Sequence, residues 1–439
     1  MADRPTTPEP NLPSKKLPAT SAPSPPWLLF FLPLVWLGVL VVASPNFRWT
    51  DAASHDSGQP RAIPYGGDYL QEWIGGKVIL SQQSERLYDL KYVTAQQHDE
   101  SVVGFQWPLE NYFPMVYPPF HYWLVTPLAY LSYRWAFLVW SLLSVMAFSL
   151  TGALLWRQRP KLRAGYALGF GAAMLFVPWL NSLIMGQKSS LLLLLFAATY
   201  GLLQRGNSLA AGLLFGFVAI KPPLAVALVL MMAWKRKWAF LSGVFITIGG
   251  LATVTWCIEP RWWSGYVAVM SRMGSYLESG GYQLADAHSL WAAVKLAMPA
   301  LDTETRNGIT VTLAIGVLVL LGWGWRGKIS TSSPRFDGQF SLAMFATVLI
   351  SPHFYTYDLT LLLLPMSLIV AQMDWQPWSH RARWIVGLLV AFWALVGLFP
   401  IVADATRIQP SVLILLTLMW LVAEDCREPL ETQQVVSHA

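Results

Sequence analysis

Charge is scarce in this sequence. Only 12% of its 439 residues are Asp, Glu, Lys or Arg, against about 25% in an ordinary soluble domain. Hydrophobic residues make up 55% and the mean hydropathy is +0.44, which excludes a soluble enzyme and indicates an integral membrane protein. Cysteine is nearly absent. Cys257 and Cys426 fall on opposite sides of the bilayer in the topology below, so neither a disulfide framework nor a cysteine metal site is available. No soluble domain, coiled coil or internal repeat is visible, and no acidic cluster has the spacing of metal ligands. No metal or organic cofactor is therefore expected. The net charge of +6 needs no nucleic-acid partner; its distribution along the chain sets topology instead.

Aromatic residues are plentiful by contrast. Twenty-three Trp and sixteen Tyr fit interfacial belts and a carbohydrate- or lipid-facing surface equally well. Residues 1–26, rich in Pro, Ser and Thr, read as a disordered cytoplasmic tail. Trp27 to Ser44 reads as a retained signal anchor, because a long polar leader precedes it and no convincing cleavage site follows. Twelve hydrophobic segments are expected, at 27–44, 134–156, 164–183, 187–204, 207–220, 222–234, 238–257, 307–325, 337–351, 357–373, 384–402 and 410–423. Several are shorter than the ~20 residues that a perpendicular crossing needs. The pair 207–220 and 222–234 reads as a helical hairpin whose tip, Lys221-Pro222-Pro223, stops inside a cavity. The expected fold is an all-α polytopic bundle, one transmembrane domain over 27–424 with a cytoplasmic tail at 425–439.

Basic residues orient the bundle. With the N-terminus inside, 17 of the 30 Lys and Arg residues fall on the cytoplasmic side, mostly in short loops, and 11 are spread through longer outer loops. Both termini are then cytoplasmic, in a multi-pass protein of the plasma (inner) membrane. The run 117–133, interrupted by Pro118, Pro119 and Pro127, reads as a re-entrant or interfacial helix, since a full span there would put RQRPKLR outside. The large outer loops are 45–133 and 258–306.

The stretch Pro64 to Leu90, PYGGDYLQEWIGGKVILSQQSERLYDL, anchors the functional reading. Asp68 stands behind two glycines and ahead of an amphipathic run, the position of a helix N-cap on a surface helix. Glu72 follows one helical turn later on the same face, expected toward solvent. Four further groups share the outer side: Tyr117-Pro118-Pro119, the turn Gly186-Gln187-Lys188, Lys221 at the hairpin tip, and SPHFYTYD from Ser351 to Asp358. Lys221 lies at membrane depth, where an ammonium costs a few kcal/mol without water, an acid or a ligand anion. A phosphate ligand is the preferred reading, with Lys221→Met expected to keep the fold. Taken singly, His353 and His288 read as satisfied loop residues, and Asp358 as the N-cap of the next helix. Their common sidedness joins them into one candidate site.

GGDYLQEWIGGKVIL…LYD, YPPFHYW…PLAYL, the Gly-Gln turn before a Leu run, AGLLFGFVAIKPPLAVAL and SPHFYTYDLTLLLLP resemble successive motifs of one family. It is the bacterial family 87 glycosyltransferases, polytopic GT-C-type enzymes similar to the polyprenyl-phosphate-mannose-dependent α-mannosyltransferases. The resemblance runs from about residue 64 to 370. It implies an outward-facing site that takes a sugar, a hexose such as mannose, from a polyprenyl-phosphate donor to a lipid or glycan acceptor among membrane lipids. It implies Asp68 as general base, Lys221 on the donor phosphate, and Gln187 and His353 along the pocket. There are two departures: Tyr357-Asp358 stands where a His is common, and His288 where an Asn-Gln-Ser run is frequent.

Chemistry fits that reading. Moving a sugar off a phosphate needs a base for the acceptor hydroxyl and positive charge on the departing phosphate. No second carboxylate is needed as acid, unlike in glycosidases, and one base opposite the phosphate gives inversion. A transporter or flippase of a lipid-linked sugar would also need a charged pocket; the lack of an internal repeat and the large first outer loop count against it. A non-catalytic scaffold does not account for five polar motifs on one side.

Overall fold

The computed structural model describes residues 31–35, 38, 66–104, 113–274, 283–373 and 379–426. The expected tail at 1–26, most of the anchor at 27–44, loop residues 45–65 and most of the tail at 425–439 lie outside the described residues. Among the described residues the secondary structure is helical, with a single isolated β-bridge between Ala287 and Tyr355.

The helices that position the site are α1 (Gly67–Leu80), α2 (Pro119–Val125), α3 (Tyr133–Gln158), α4 (Tyr166–Met174) and α5 (Val177–Met185). They continue with α6 (Ser189–Gln204), α7 (Ser208–Phe215), α8 (Val226–Trp234), α9 (Trp238–Ile258), α10 (Thr303–Gly324) and α11 (Arg335–Ile350). The last are α12 (Leu363–Gln372), α13 (His380–Leu395) and α14 (Pro410–Asp425). Among the described residues four helices are long and apolar enough to cross a bilayer: α3, α9, α10 and the 27-residue run His380–Thr406 that contains α13. The bent pair α4–α5 makes a fifth if it is one span. Length and composition of the described residues thus support four to five crossings, fewer than the twelve segments expected, and the apolar helices mark a membrane protein. The other segments shorten for local reasons. α4 and α5 meet at 48°, with Pro178 in the first turn of α5 where its missing N–H costs nothing. α7 tightens into a 3₁₀ turn at Gly216–Ile220, and Pro222-Pro223 opens a second before α8. This is the expected hairpin, with Lys221 at its tip.

Side-chain contacts sort the loops into two ends. At one end Arg159 bonds Asp337, Ser332 donates to the Gln204 carbonyl, Lys235 to the Gly327 carbonyl, and Arg381 pairs with Asp425. These are the short basic loops of the topology argument. At the other end lie α1, the turn 186–188, the hairpin tip and 351–358, joined by the contacts described below. The run 117–133 forms only the seven-residue α2 and a 3₁₀ turn, Thr126–Tyr130, packed on α1. It is too short to cross, as its prolines suggest.

The main core fills the bundle, and a second, aromatic core sits under α1, built from Tyr69, Trp73, Tyr122, Tyr133, Phe137 and Trp140. Tyr69 lies 5.3 Å from the Trp140 ring and Trp73 meets Tyr133 edge-on at 5.6 Å. α1 is therefore a buried helix, not the expected surface helix. Its polar residues are held inside protein, which changes what they can do.

The charge asymmetry predicts which end faces out. In a background lacking Cys257 and Cys426, Gln83→Cys should be labelled by an impermeant thiol reagent in intact cells, and Ser332→Cys only after permeabilisation. Both positions are well placed for this, being exposed. The reverse pattern would turn the polar end inward.

Candidate active site

The start of α1 is not capped as the sequence suggests. Gly66 is the N-cap, in the left-handed region at φ 73°, and Asp68 sits in the first turn without capping. The reason is a close backbone approach. Gly66 donates to the Ile184 carbonyl at 2.8 Å, and Gly186, at φ 72°, lies against it. A Cβ on Gly186 would meet the Tyr69 Cβ at 2.6 Å, and one on Gly66 would meet the Phe137 ring and the Tyr133 hydroxyl at 2.7 Å. Tyr133 donates to the Gly66 carbonyl and Trp140 to the Gly186 carbonyl. Two glycines thus let the turn 186–188 lie directly on the first turn of α1, and aromatic donors lock both backbones.

Two ladder-like contacts follow from that register. Gln187 donates to the Asp68 carboxylate at 2.5 Å, and Lys188, the next residue, bonds Glu72 one helical turn further along. Glu72 does not face solvent. It is 3% exposed, and its other oxygen meets His121 from α2. Lys188 also stands over the Tyr117 ring at 3.2 Å. Burial pushes the Glu72 carboxyl up, and burial with the nearby Lys188 charge holds His121 well below the usual imidazole range, so the imidazole stays neutral.

Lys221 belongs to the same end. Its ammonium bonds both oxygens of Asp358, at 2.6 and 2.5 Å, from the far side of the bundle sequence. Asp358 does accept from the Tyr355 N–H, but Tyr355 is the N-cap and Asp358 the third residue of the 3₁₀ turn, so capping is its lesser task. The Tyr357 ring lies 5.4 Å from the Lys221 ammonium. His353 packs edge-on to Tyr355 at 4.6 Å; burial and the Lys221 charge push it down to about 3. His288 is a structural residue. It is fully buried, bonds Ser411 and Thr356 through its two ring nitrogens, and its N–H donates to the Phe354 carbonyl. It ties the 258–306 loop to 351–358.

The predicted residues therefore gather, with one distinction among the acids. Glu72 and Asp358 are buried and each is ion-paired. Asp68 is partly exposed and is held by a neutral amide. Burial still dominates its carboxyl and raises its proton affinity, against the Gln187 bond and the Lys188 and Lys221 charges. A reachable acid with a raised proton affinity is suited to accept a proton. Sequence reasoning named Lys188 in the turn 186–188 without giving it a role, and passed over His121. Lys188 was visible as a charge at the end of an apolar segment, and His121 as the polar residue of YPPFHYW; neither signal named its partner. Among the described residues no group of three or more His, Cys, Asp or Glu is arranged to hold a metal ion.

This geometry corrects the expectation that Lys221→Met leaves the fold intact. That change strands Asp358 inside the protein and should cost about 3–5 kcal/mol of stability. Lys221→Met with Asp358→Asn should recover most of it, read as the thermal unfolding midpoint of the purified protein. A single variant as stable as wild type would mean that Asp358 reaches water.

No curated protein and no solved structure matches the chain. The family model for Glycosyltransferase family 87 matches residues 115–352, more than half of the 439. The match takes in α2, the turn 186–188 and the hairpin tip; Asp68 lies before it, and His353 and Asp358 lie after it. Both acids are nonetheless bonded to matched residues, Gln187 and Lys221. With the transporter and scaffold readings thereby set aside, the chain belongs to glycosyltransferase family 87 and is a transferase.

Proposed function

We propose that the protein moves a hexose, mannose in the first instance, from a polyprenyl-phosphate donor to a lipid or glycan acceptor at the outer face of the plasma membrane. Transfer is inverting and Asp68 is the general base. The observation that carries this reading is the contrast among the acids: Asp68 alone of the three is partly exposed and free of a direct ion pair.

The reaction then runs in one displacement. Asp68 takes the proton of the acceptor hydroxyl as the acceptor oxygen bonds to the anomeric carbon. The bond from that carbon to the phosphate oxygen breaks, and polyprenyl phosphate leaves with the electron pair. Its charge needs a cation. Lys221 has three N–H groups and directs its bonds at the two oxygens of Asp358, which leaves donor capacity for the phosphate. Neutral His353 and Tyr357 flank that position and supply polar and aromatic surface to the sugar. Because the donor carries its own leaving group, protonated acid is not required.

Asp68→Asn should abolish release of polyprenyl phosphate from polyprenyl phosphomannose while the protein stays folded. Asp68→Glu should keep at most a trace, since a base displaced by about 1 Å can cost ~100-fold. The acid limb of the wild-type rate profile should follow the raised Asp68 value: activity is present above it and is lost as pH falls through it, at a higher pH than an ordinary carboxylate would give. Near-normal turnover by Asp68→Asn would remove the base from α1.

A further inference from the structure

Two cations lie within electrostatic reach of Asp68, yet neither touches it. Lys188 is the nearer in sequence to its partner, adjacent to Gln187, and both Lys188 and Lys221 lower the proton affinity of Asp68 through space. Lys188 is spent on Glu72 at 2.5 Å, and Asp68 is left with the Gln187 amide. The spacing makes the exchange possible. Residues 187 and 188 are neighbours on one turn, and residues 68 and 72 are neighbours on one face of α1, so either acid is within range of either side chain.

The difference matters chemically. An Asp paired directly with an ammonium holds its proton weakly and is a poor base near neutral pH. An Asp held by a neutral amide keeps its basicity and is still oriented. We propose that Glu72 is a positioning residue for transfer: it binds Lys188 and so leaves Asp68 to a neutral partner, Gln187. This rests on Asp68 being the base, and it assigns Glu72 a task that its burial alone does not require.

The surroundings of both acids are consistent with that task. His121, on the other oxygen of Glu72, stays neutral, so it adds no second positive charge that would release Lys188. The Tyr117 ring under Lys188 holds the ammonium on the Glu72 side. Among the described residues the remaining titratable neighbours of Asp68 are Lys221, Asp358, Tyr117, Tyr133 and Tyr357, and Lys221 and Asp358 are paired with each other. Among the described residues those of Glu72 are Lys188, His121, Asp68, Lys221, Tyr69, Tyr117 and Tyr122. Removing Glu72 takes away its own negative charge beside Asp68 and frees Lys188, and both changes lower the proton affinity of Asp68.

The test reads the protonation of Asp68 without a sugar donor. Dicyclohexylcarbodiimide reacts with protonated, shielded carboxyls, so its attachment to the Asp68 peptide of the full-length protein, measured by mass spectrometry across pH, gives a midpoint. In Glu72→Gln, Lys188 turns to Asp68 and the midpoint should fall by about one pH unit. The kcat for release of polyprenyl phosphate should drop about tenfold with the donor KM little changed, and the acid limb should move to lower pH. In Glu72→Gln with Lys188→Met, midpoint and kcat should both return toward wild type. Should Glu72→Gln not fold, Glu72→Asp retracts the carboxylate by one methylene and must still lower the midpoint. An unchanged midpoint in the folded single variant, or no recovery in the double, would overturn the proposal and make Glu72 structural only. The predicted midpoint shifts without turnover of any polyprenyl phosphosugar would support Glu72's task and sink the donor assignment instead.

Discussion

An ionised side chain inside protein costs several kcal/mol unless a counter-charge and hydrogen bonds meet it, and breaking such a pair is more costly than never building it. That constraint organises this molecule. Glu72 binds Lys188, Asp358 binds Lys221, and at the opposite end Asp337 binds Arg159 together with Tyr200 and Gln204. Each pair joins segments far apart in the chain. The first holds a turn between two helices onto α1, the second holds the hairpin tip onto 351–358, and the third gathers the ends of α3, α6 and α11. Apolar packing fills the bundle, but it is non-directional. The buried pairs specify which loop meets which.

At the polar end the same constraint sorts the acids. Two of the three are neutralised by lysine and withdrawn from solvent. Asp68 is spared, because the residue opposite it is Gln187 and the register of the turn is set by the contact of Gly66 with Gly186. A base that is fixed in place, reachable and not ion-paired is an uncommon combination, since the usual way to fix a carboxylate is to pair it. Here the fixing is done by a neutral amide and by the rigid backbone under it. The family match begins at residue 115, so it is this contact and not the match that positions Asp68.

The sequence carried much of this end of the molecule and misplaced parts of it for identifiable reasons. Sidedness was legible, because basic residues in short loops report topology and every polar motif fell on the opposite side. Lys221 stood out because an ammonium in an apolar run needs a partner. The partner itself was not legible: Asp358 is 137 positions away, and nothing local distinguishes a capping Asp from a counter-ion. Glu72 and Lys188, 116 positions apart, hid for the same reason. The caps failed at both Asp68 and Asp358 because a local preference worth about 1 kcal/mol yields to buried contacts worth more. Segment length is a separate matter. Hydropathy counts apolar residues without regard to helix continuity, whereas Pro178 falls within 164–183, which reads as one segment and is the bent pair α4–α5.

The central claim is that one carboxylate, acting as a base, drives a single displacement at the anomeric carbon. The stereochemistry of the product tests it most directly. With a polyprenyl phosphosugar of known anomeric configuration, NMR of the transferred sugar should show the opposite configuration at that carbon, from the first turnover onward. Retention would require either a covalent sugar intermediate or attack from the same face as the departing phosphate, and would contradict the assignment of Asp68 as a base on the opposite face.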